Sequence, residues 1–366
     1  METHPLVRLH VPNPLEDAPL ALPFWSRFPG AKGSIMYDKH LPPNFFETSV
    51  SYVEAAEAQA IVLPNTFAMA DEKVRAYVAA YADMGEKLGI PVFVFSFGDL
   101  NDLVPFDPRV YVFRQSVYRS TMRAQDIVVP TITEDNAKEG IVLHQKQSVP
   151  IVSFCGQGDY QTITQQVKYH IKVWRWKMAS IFNPILRARI IGVYWRKKMM
   201  RACERSNMVK TFFIVRKSFS GAHRTIELDP AQARREYLDS IINSDFVLAP
   251  KGDGNYSNRF LKTLCMGRIP VVPDTDIVLP LEGHIDYEKI MVRVPMNNIQ
   301  DTPKLVREWY DARSEVEWQA AQHKAREVFA TKLRFDSFFD YFFTKVLAAL
   351  PRNPRASAAP TQTPQK

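Results

Sequence analysis

Ser244–Pro280 reads SDFVLAPKGDGNYSNRFLKTLCMGRIPVVPDTDIVLP. The apolar run from Phe246 to Ala249 has the length and residue types of a buried strand, and Pro250, Gly252 and Gly254 mark the loop after it. Ser257 stands where a helix N-cap belongs and Gly267 where a helix stops, so the spacing predicts a helix between them. A second β-rich run, Ile269 to Val272, closes the unit at Pro273. Strand, loop, helix and strand in this order place the amino end of the helix at the mouth of a parallel sheet.

The first N–H groups of a helix have no intrahelical partner and carry the positive end of its dipole, so they attract an anion. Lys251, Gly252, Asp253, Gly254, Asn255, Tyr256, Ser257 and Arg259 therefore form an expected phosphate-binding group. Lys262, one turn beyond Asn258, adds charge from the same face.

These residues resemble a pattern of the exostosin family of glycosyltransferases, SxFxLxPRGDGxxSxRFYEALxxGRIPVxxDxDxxLP. Ser244, Phe246, Leu248, Pro250, Gly252, Asp253, Gly254, Ser257, Arg259, Phe260, Leu264, Gly267, Arg268, Ile269, Pro270, Val271, Asp274, Asp276, Leu279 and Pro280 match it. The resemblance implies an α/β protein of GT-B type, with two Rossmann-like domains facing a cleft and a C-terminal helix crossing back to the first domain. It also implies inverting transfer of a sugar from a nucleotide-sugar, UDP-linked, to a glycan or lipid-linked saccharide. One position departs from the family: its glutamate in FYEAL is Lys262 here, in FLKTL. A carboxylate there accepts hydrogen bonds from both ribose hydroxyls, and an ammonium accepts none. Either another carboxylate such as Glu282 reaches the ribose, or the donor is unusual, or the activity has been lost.

At 366 residues, with 46% hydrophobic and 12% aromatic, the chain is long enough for two domains with sizeable cores. Cys155, Cys203 and Cys265 show no CxxC spacing, and no N-terminal apolar segment precedes them, so the expectation is a reducing, cytoplasmic location without disulfides or zinc. Charge is uneven. Lys168 to Lys210 holds twelve Lys or Arg against Glu204 alone, whereas the whole chain is only +8. No helix-turn-helix, zinc-finger or RNP pattern accompanies this basic segment, which argues against nucleic acid. An anionic glycan, or peripheral contact with an anionic membrane at its inner face, fits better.

Outward from the central stretch, residues 1–145 read as an acceptor-side Rossmann-like domain, with a boundary near 140 to 148. Residues 1 to 20 read as an extended lead-in, and Trp25, Arg27, Tyr37, Asp38 and His40 fall in a turn-rich loop. A strand over Ala60 to Leu63 ends at Pro64, a helix spans Asp71 to Leu88, and IPVFVFSF (90–97) is the clearest strand of this half. It ends at Gly98-Asp99, where a carboxylate stands as candidate general base; an Asx turn closing the strand is the other reading. Arg109 to Phe113 adds another strand.

Residues 146–335 read as the nucleotide-sugar domain. It opens with a strand over Val149 to Phe154 and a Gly156/Gly158 turn. The apolar positions 163, 167, 170, 171, 174, 178 and 181 predict a helix with His170 and Trp174 facing the core. Asn183-Pro184 starts the next helix, expected to run to about Glu204. After a strand over Thr211 to Val215, Arg216 and Arg224 stand where a guanidinium meets a diphosphate. The crossover helix is placed at 336–350 and a disordered tail at 351–366. Inverting transfer needs a base on the acceptor hydroxyl and positive charge on the leaving diphosphate. Cations and helix dipoles supply that charge here, so no cofactor or metal is expected. The competing readings are a DxD metal site at Asp274-Thr275-Asp276 and a catalytically silent glycan-binding protein.

Overall fold

A computed structural model describes residues 6–24, 27–28, 46, 49–99, 105–160, 162–217 and 229–354. The helices among them are α1 (Glu72–Leu88), α2 (Ile163–Phe182), α3 (Gly192–Glu204), α4 (Pro230–Ile242), α5 (Asn258–Cys265), α6 (Thr302–Asp311), α7 (Glu315–Val328) and α8 (Phe335–Tyr341). The chain divides into two compact units, one of residues 1–117, 121–134 and 331–366, the other of 118–120 and 135–330.

In the first unit the strands are β1 (Val7–His10), β2 (Val50–Tyr52), β3 (Ala60–Thr66), β4 (Val92–Ser96), β5 (Tyr111–Arg114) and β6 (Asp126–Val128). They pair in parallel in the order β2-β1-β3-β4-β5-β6. β4 and β5 are buried along their whole length, as a parallel sheet covered on both faces requires. α1 begins at Asp71, whose carboxylate accepts from Val74 N, and packs Val74, Val78 and Ala82 with Ile61, Val94 and Val112. α8 belongs to this unit and brings Phe339 to within 5.3 Å, ring to ring, of Phe113, while Phe342 follows at 5.7 Å from Phe93. Edge-to-face aromatic pairs of this kind contribute roughly 0.5–1.5 kcal/mol each beyond burial. The expected crossover helix is therefore present. Its regular part stops at Tyr341, and a π turn and a 3₁₀ turn carry the chain to Ala349.

Three expectations for this half change. The lead-in contains β1, and β2 and β6 were also not foreseen, each being only three or four residues long. β3 does not end at Pro64 but runs to Thr66, because its register with β4 shifts between Val62 and Thr66, where proline offers no N–H. The change of unit falls at 134/135 instead of 140 to 148, since buried Asp135 is clamped by Arg326 at 2.7 and 2.9 Å. Trp25, Tyr37, Asp38, His40 and residues 355–366 lie outside the described residues.

The second unit contains β7 (Ile151–Gln157), β8 (Lys210–Arg216), β9 (Phe246–Leu248), β10 (Ile269–Asp274) and β11 (Val292–Pro295), parallel throughout in the order β11-β10-β9-β7-β8. Phe246, Tyr310 and Trp318 join β9 to α6 and α7 with rings 5.0 to 5.8 Å apart. The predicted helix through Glu204 is broken into a 3₁₀ turn, Pro184–Arg189, and α3. The direction of α2 is also corrected: His170 is exposed, and Trp174 is 64% exposed, so neither faces the core.

Candidate donor-binding site

β8 is added on one side of β7 and β9 on the other, so the order of the second sheet reverses between β7 and β9. Loops leaving the carboxyl ends of two such strands diverge and open a crevice for a ligand. Here they are the turn after Gln157 and the loop from Ala249 to Ser257 that leads into α5.

Four cationic side chains collect at this point. Lys251, 3% exposed, donates to Tyr118 Oη at 2.8 Å and to the Ala188 carbonyl at 2.7 Å. Burial, reinforced by Arg189, lowers its pKa to about 7. Arg196, on α3, donates to the carbonyls of Gln157 and Lys251 at 3.0 and 3.2 Å, joining the two loops, and burial with neighbouring Arg259 lowers it to about 10. Arg259, on the first turn of α5, donates to the Cys155 carbonyl at 2.8 Å and lies over Phe154, 4.3 Å from the ring centre; burial pulls its pKa down as well. Arg216 ends β8 and pairs with Glu236 at 2.8 Å. Nε of Arg196, Nε of Arg259, and Nε and Nη1 of Arg216 are buried without a hydrogen-bond partner. Burial disfavours the charge on Lys251, Arg196 and Arg259, and a bound anion reverses that effect.

The loop is held in place by neutral contacts. Buried Asn255 donates to the Asp276 carbonyl and accepts from Thr275 Oγ1, tying it to the end of β10. Gly252 N donates to the Tyr256 carbonyl at 2.8 Å. Gly192 starts α3 so close beneath that a Cβ there would stand 2.1 Å from the Lys251 oxygen, and a Cβ on Gly156 would stand 2.7 Å from Arg259 Nη2. At Gly192 the neighbour is backbone and cannot yield, and at Gly156 the φ of +143° itself favours glycine. Ser257 occupies the N-cap position with extended backbone, and its side chain makes no capping bond. Arg268 of the GRIP motif points elsewhere: it is buried and donates to the carbonyls of Ile242 and Val142 and to Gln322, an anchor within the unit.

The remaining expected residues spread out. Asp253 is exposed and lies close enough to Arg196 and Lys251 to favour their charge, whereas Gly254 is buried. Lys262 donates to Asn136 Oδ1 at 2.7 Å. Glu282 accepts both Arg119 Nη2 contacts, at 2.9 and 2.7 Å, and the Leu279 N–H. Asp276 takes the backbone and hydroxyl of Ser120, while Asp274 stands 3.6 Å from Arg293, so the two carboxylates of the DxD triplet serve different neighbours. Asp99 is exposed, two residues past Phe97 at the carboxyl end of β4 in the first unit. Arg224 lies outside the described residues. Sequence reasoning missed Arg196 as a site residue and Tyr118 altogether. The first was hidden among surface-like cations, and the second sits 133 positions from the lysine it touches.

A family model described as the Exostosin GT47 domain matches residues 111–309. Over 73 residues the chain is 36% identical to an Exostosin-1 homolog of Caenorhabditis elegans, a match that covers 20% of this chain and 19% of that protein. Among solved structures, a glycosyltransferase from Rickettsia africae ESF-5 is similar with a TM-score of 0.36 and 9% identity, over 93% of this chain and 99% of that one. Anabaena Alr3699/HepE in complex with UDP and glucose is similar at 0.35 and 9%, over 94% and 100%.

Proposed function

The chain belongs to the exostosin GT47 family of glycosyltransferases, and from that premise we propose that it transfers a sugar from a nucleotide-sugar, UDP-linked, to a glycan or lipid-linked saccharide, with inversion and without a metal. The observation that carries this reading is the surplus of buried cationic donors at the β7/β9 switch point. A diphosphate supplies the negative charge that Arg196, Arg259 and Lys251 lack, and the positive dipole end of α5 adds to the cradle. As the bond between the anomeric carbon and the diphosphate breaks, charge grows on the leaving oxygen, and these groups stabilise it where they already stand. The proton of the acceptor hydroxyl is assigned to Asp99.

A thermal-shift panel of nucleotide-sugars tests the reading, because a donor bound only by the folded state raises the midpoint. At least one nucleotide-sugar is expected to raise it, and no shift across the panel would sink the proposal. Turnover is expected to survive EDTA; loss in EDTA restored by Mn²⁺ would transfer the chemistry to Asp274 and Asp276. A second reading, a silent glycan-binding protein, has one observation in its favour, Lys262 engaged with Asn136 where the family has a ribose-binding carboxylate. Glycan binding without any nucleotide-sugar binding would decide for it.

A further inference from the structure

Helix α2 leaves a long apolar face uncovered. Ile163, Val167, Ile171, Trp174, Met178 and Ile181 recur at intervals of three or four, which on a helix turning about 100° per residue gathers them into one stripe. Ile163 is 80% exposed and Ile181 65%, and Phe182 closes the stripe at 91%. The buried residues of the helix, Tyr169 and Val173, lie on the opposite side, where Tyr169 meets Tyr160 and Lys197. The helix is thus docked by one face and leaves another apolar face free. Apolar residues exposed singly are ordinary, but a continuous stripe marks an interaction surface.

Charge selects what covers it. α2 carries Lys168, Lys172, Arg175 and Lys177 and no acidic residue. On the helical wheel Lys168, Lys172 and Arg175 border the stripe on one edge, and Lys177 with His170 borders it on the other. A second copy docked face to face would set these unbalanced cations against each other. An anionic surface complements them. Lysine and arginine stems lie along apolar groups while their heads reach phosphates, and tryptophan prefers the same boundary. Among the described residues no helix is long and apolar enough to cross a membrane. We propose that α2 lies in the interface of an anionic membrane, with its Ile163-to-Phe182 stripe among the acyl chains and its lysines and arginine at the headgroups. The inference is independent of the sugar-transfer reading, since membrane binding is measured without turnover.

The full chain is sedimented with phosphatidylglycerol–phosphatidylcholine vesicles and with pure phosphatidylcholine vesicles at low and high salt. Binding to the mixed vesicles, weakened by salt, is expected. The double variant Ile171→Ser/Trp174→Ser should lose more than tenfold in partition. Lys168→Gln/Lys172→Gln/Arg175→Gln should lose roughly fivefold per cation on the mixed vesicles. Both should keep the parent's thermal midpoint, because the altered side chains are exposed. Failure of the parent protein to sediment with the mixed vesicles would overturn the proposal. So would an apolar double variant that binds like the parent, or one that instead dissolves a dimer of the parent seen by light scattering.

Discussion

α2 and α3 share a composition, rich in lysine, arginine and aromatic residues with a single acid between them, and they use it in opposite directions. α3 turns Trp195, Met199 and Cys203 inward and folds Arg196 under the donor loop, where its guanidinium bridges that loop and the end of β7. α2 buries little more than Tyr169 and Val173 and presents its apolar stripe outward. The lesson is that periodicity reports a face, not what the face meets. Substitutions should therefore be costly on the inward side of α3 and nearly silent for donor binding on α2.

The largest expected effect tests the cationic cradle. Arg259→Ala and Arg196→Ala should each weaken nucleotide-sugar binding by about 2 to 4 kcal/mol, because each removes a desolvated partner of the diphosphate. Arg175→Ala on α2 should leave calorimetric affinity within error of the parent. Equal losses from α2 and α3 would erase the distinction between the helices. An unchanged affinity in folded Arg259→Ala would reduce that residue to a surface-type contact worth under about 1 kcal/mol.

A smaller effect concerns how α3 comes so close to the loop. Gly192→Ala places a Cβ 2.1 Å from the Lys251 carbonyl oxygen, a backbone atom with no rotamer through which to yield. The helix and loop must then separate, at a cost of about 1 to 3 kcal/mol in urea unfolding, with donor affinity falling alongside. Trp174→Ser, on the exposed stripe of α2, should change stability by less than about 0.5 kcal/mol. If both variants unfold alike, α3 is not pressed against the loop as described.

The order of elements around residues 244 to 280 was legible in the sequence because turn chemistry and apolar runs agreed there: β9, α5 and β10 lie where Phe246, Ser257, Gly267 and Ile269 put them. What was not legible depends on partners distant in the chain. Ser257 has the residue type of a cap without making the bond, Arg268 has the appearance of a site residue and is a buried anchor, and Lys251 acquires its lowered pKa from burial and from Arg189. His170 and Trp174 were misplaced because a helical stripe looks the same whether a core or a solvent lies against it. The break between Arg189 and Gly192 has no strong local signal either; it follows from the loop that α3 must meet.

A third effect follows from pH. Lys251 has a folded pKa near 7, well below the usual lysine value of 10.5, so between these values the folded state holds fewer protons than the unfolded state. Stability should then rise with pH across that window, the buried ammonium costing most below pH 7. Donor affinity should move the other way, falling as pH climbs past about 7 and the positive charge is lost, by up to roughly tenfold. A nucleotide-sugar is the right probe because its diphosphate does not titrate in this range. Lys251→Met should flatten both profiles, and an unaltered affinity profile in that variant would take Lys251 out of the cradle. Nothing comparable is expected from the lysines of α2.

The smallest effect asks whether a single cation on α5 behaves like those of α3 or like those of α2. Lys262 is one turn from the amino end of the helix and donates to Asn136 Oδ1 at 2.7 Å. In that position a glutamate offers two acceptors to a ribose diol, and an ammonium offers none. The parent protein should therefore bind a plain uridine diphosphate weakly, and Lys262→Glu should improve its affinity by about 1 kcal/mol, less than the loss from Arg259→Ala because the hydroxyls are neutral partners. The same variant removes the donor to Asn136, so its thermal midpoint must be read beside the affinity. Tighter binding by a variant of unchanged midpoint supports the deficit. If the parent binds tightly and the glutamate variant weakly, Lys262 is itself a ligand of the donor, and α5 contributes its second cation to the same anion that Arg196 and Arg259 face.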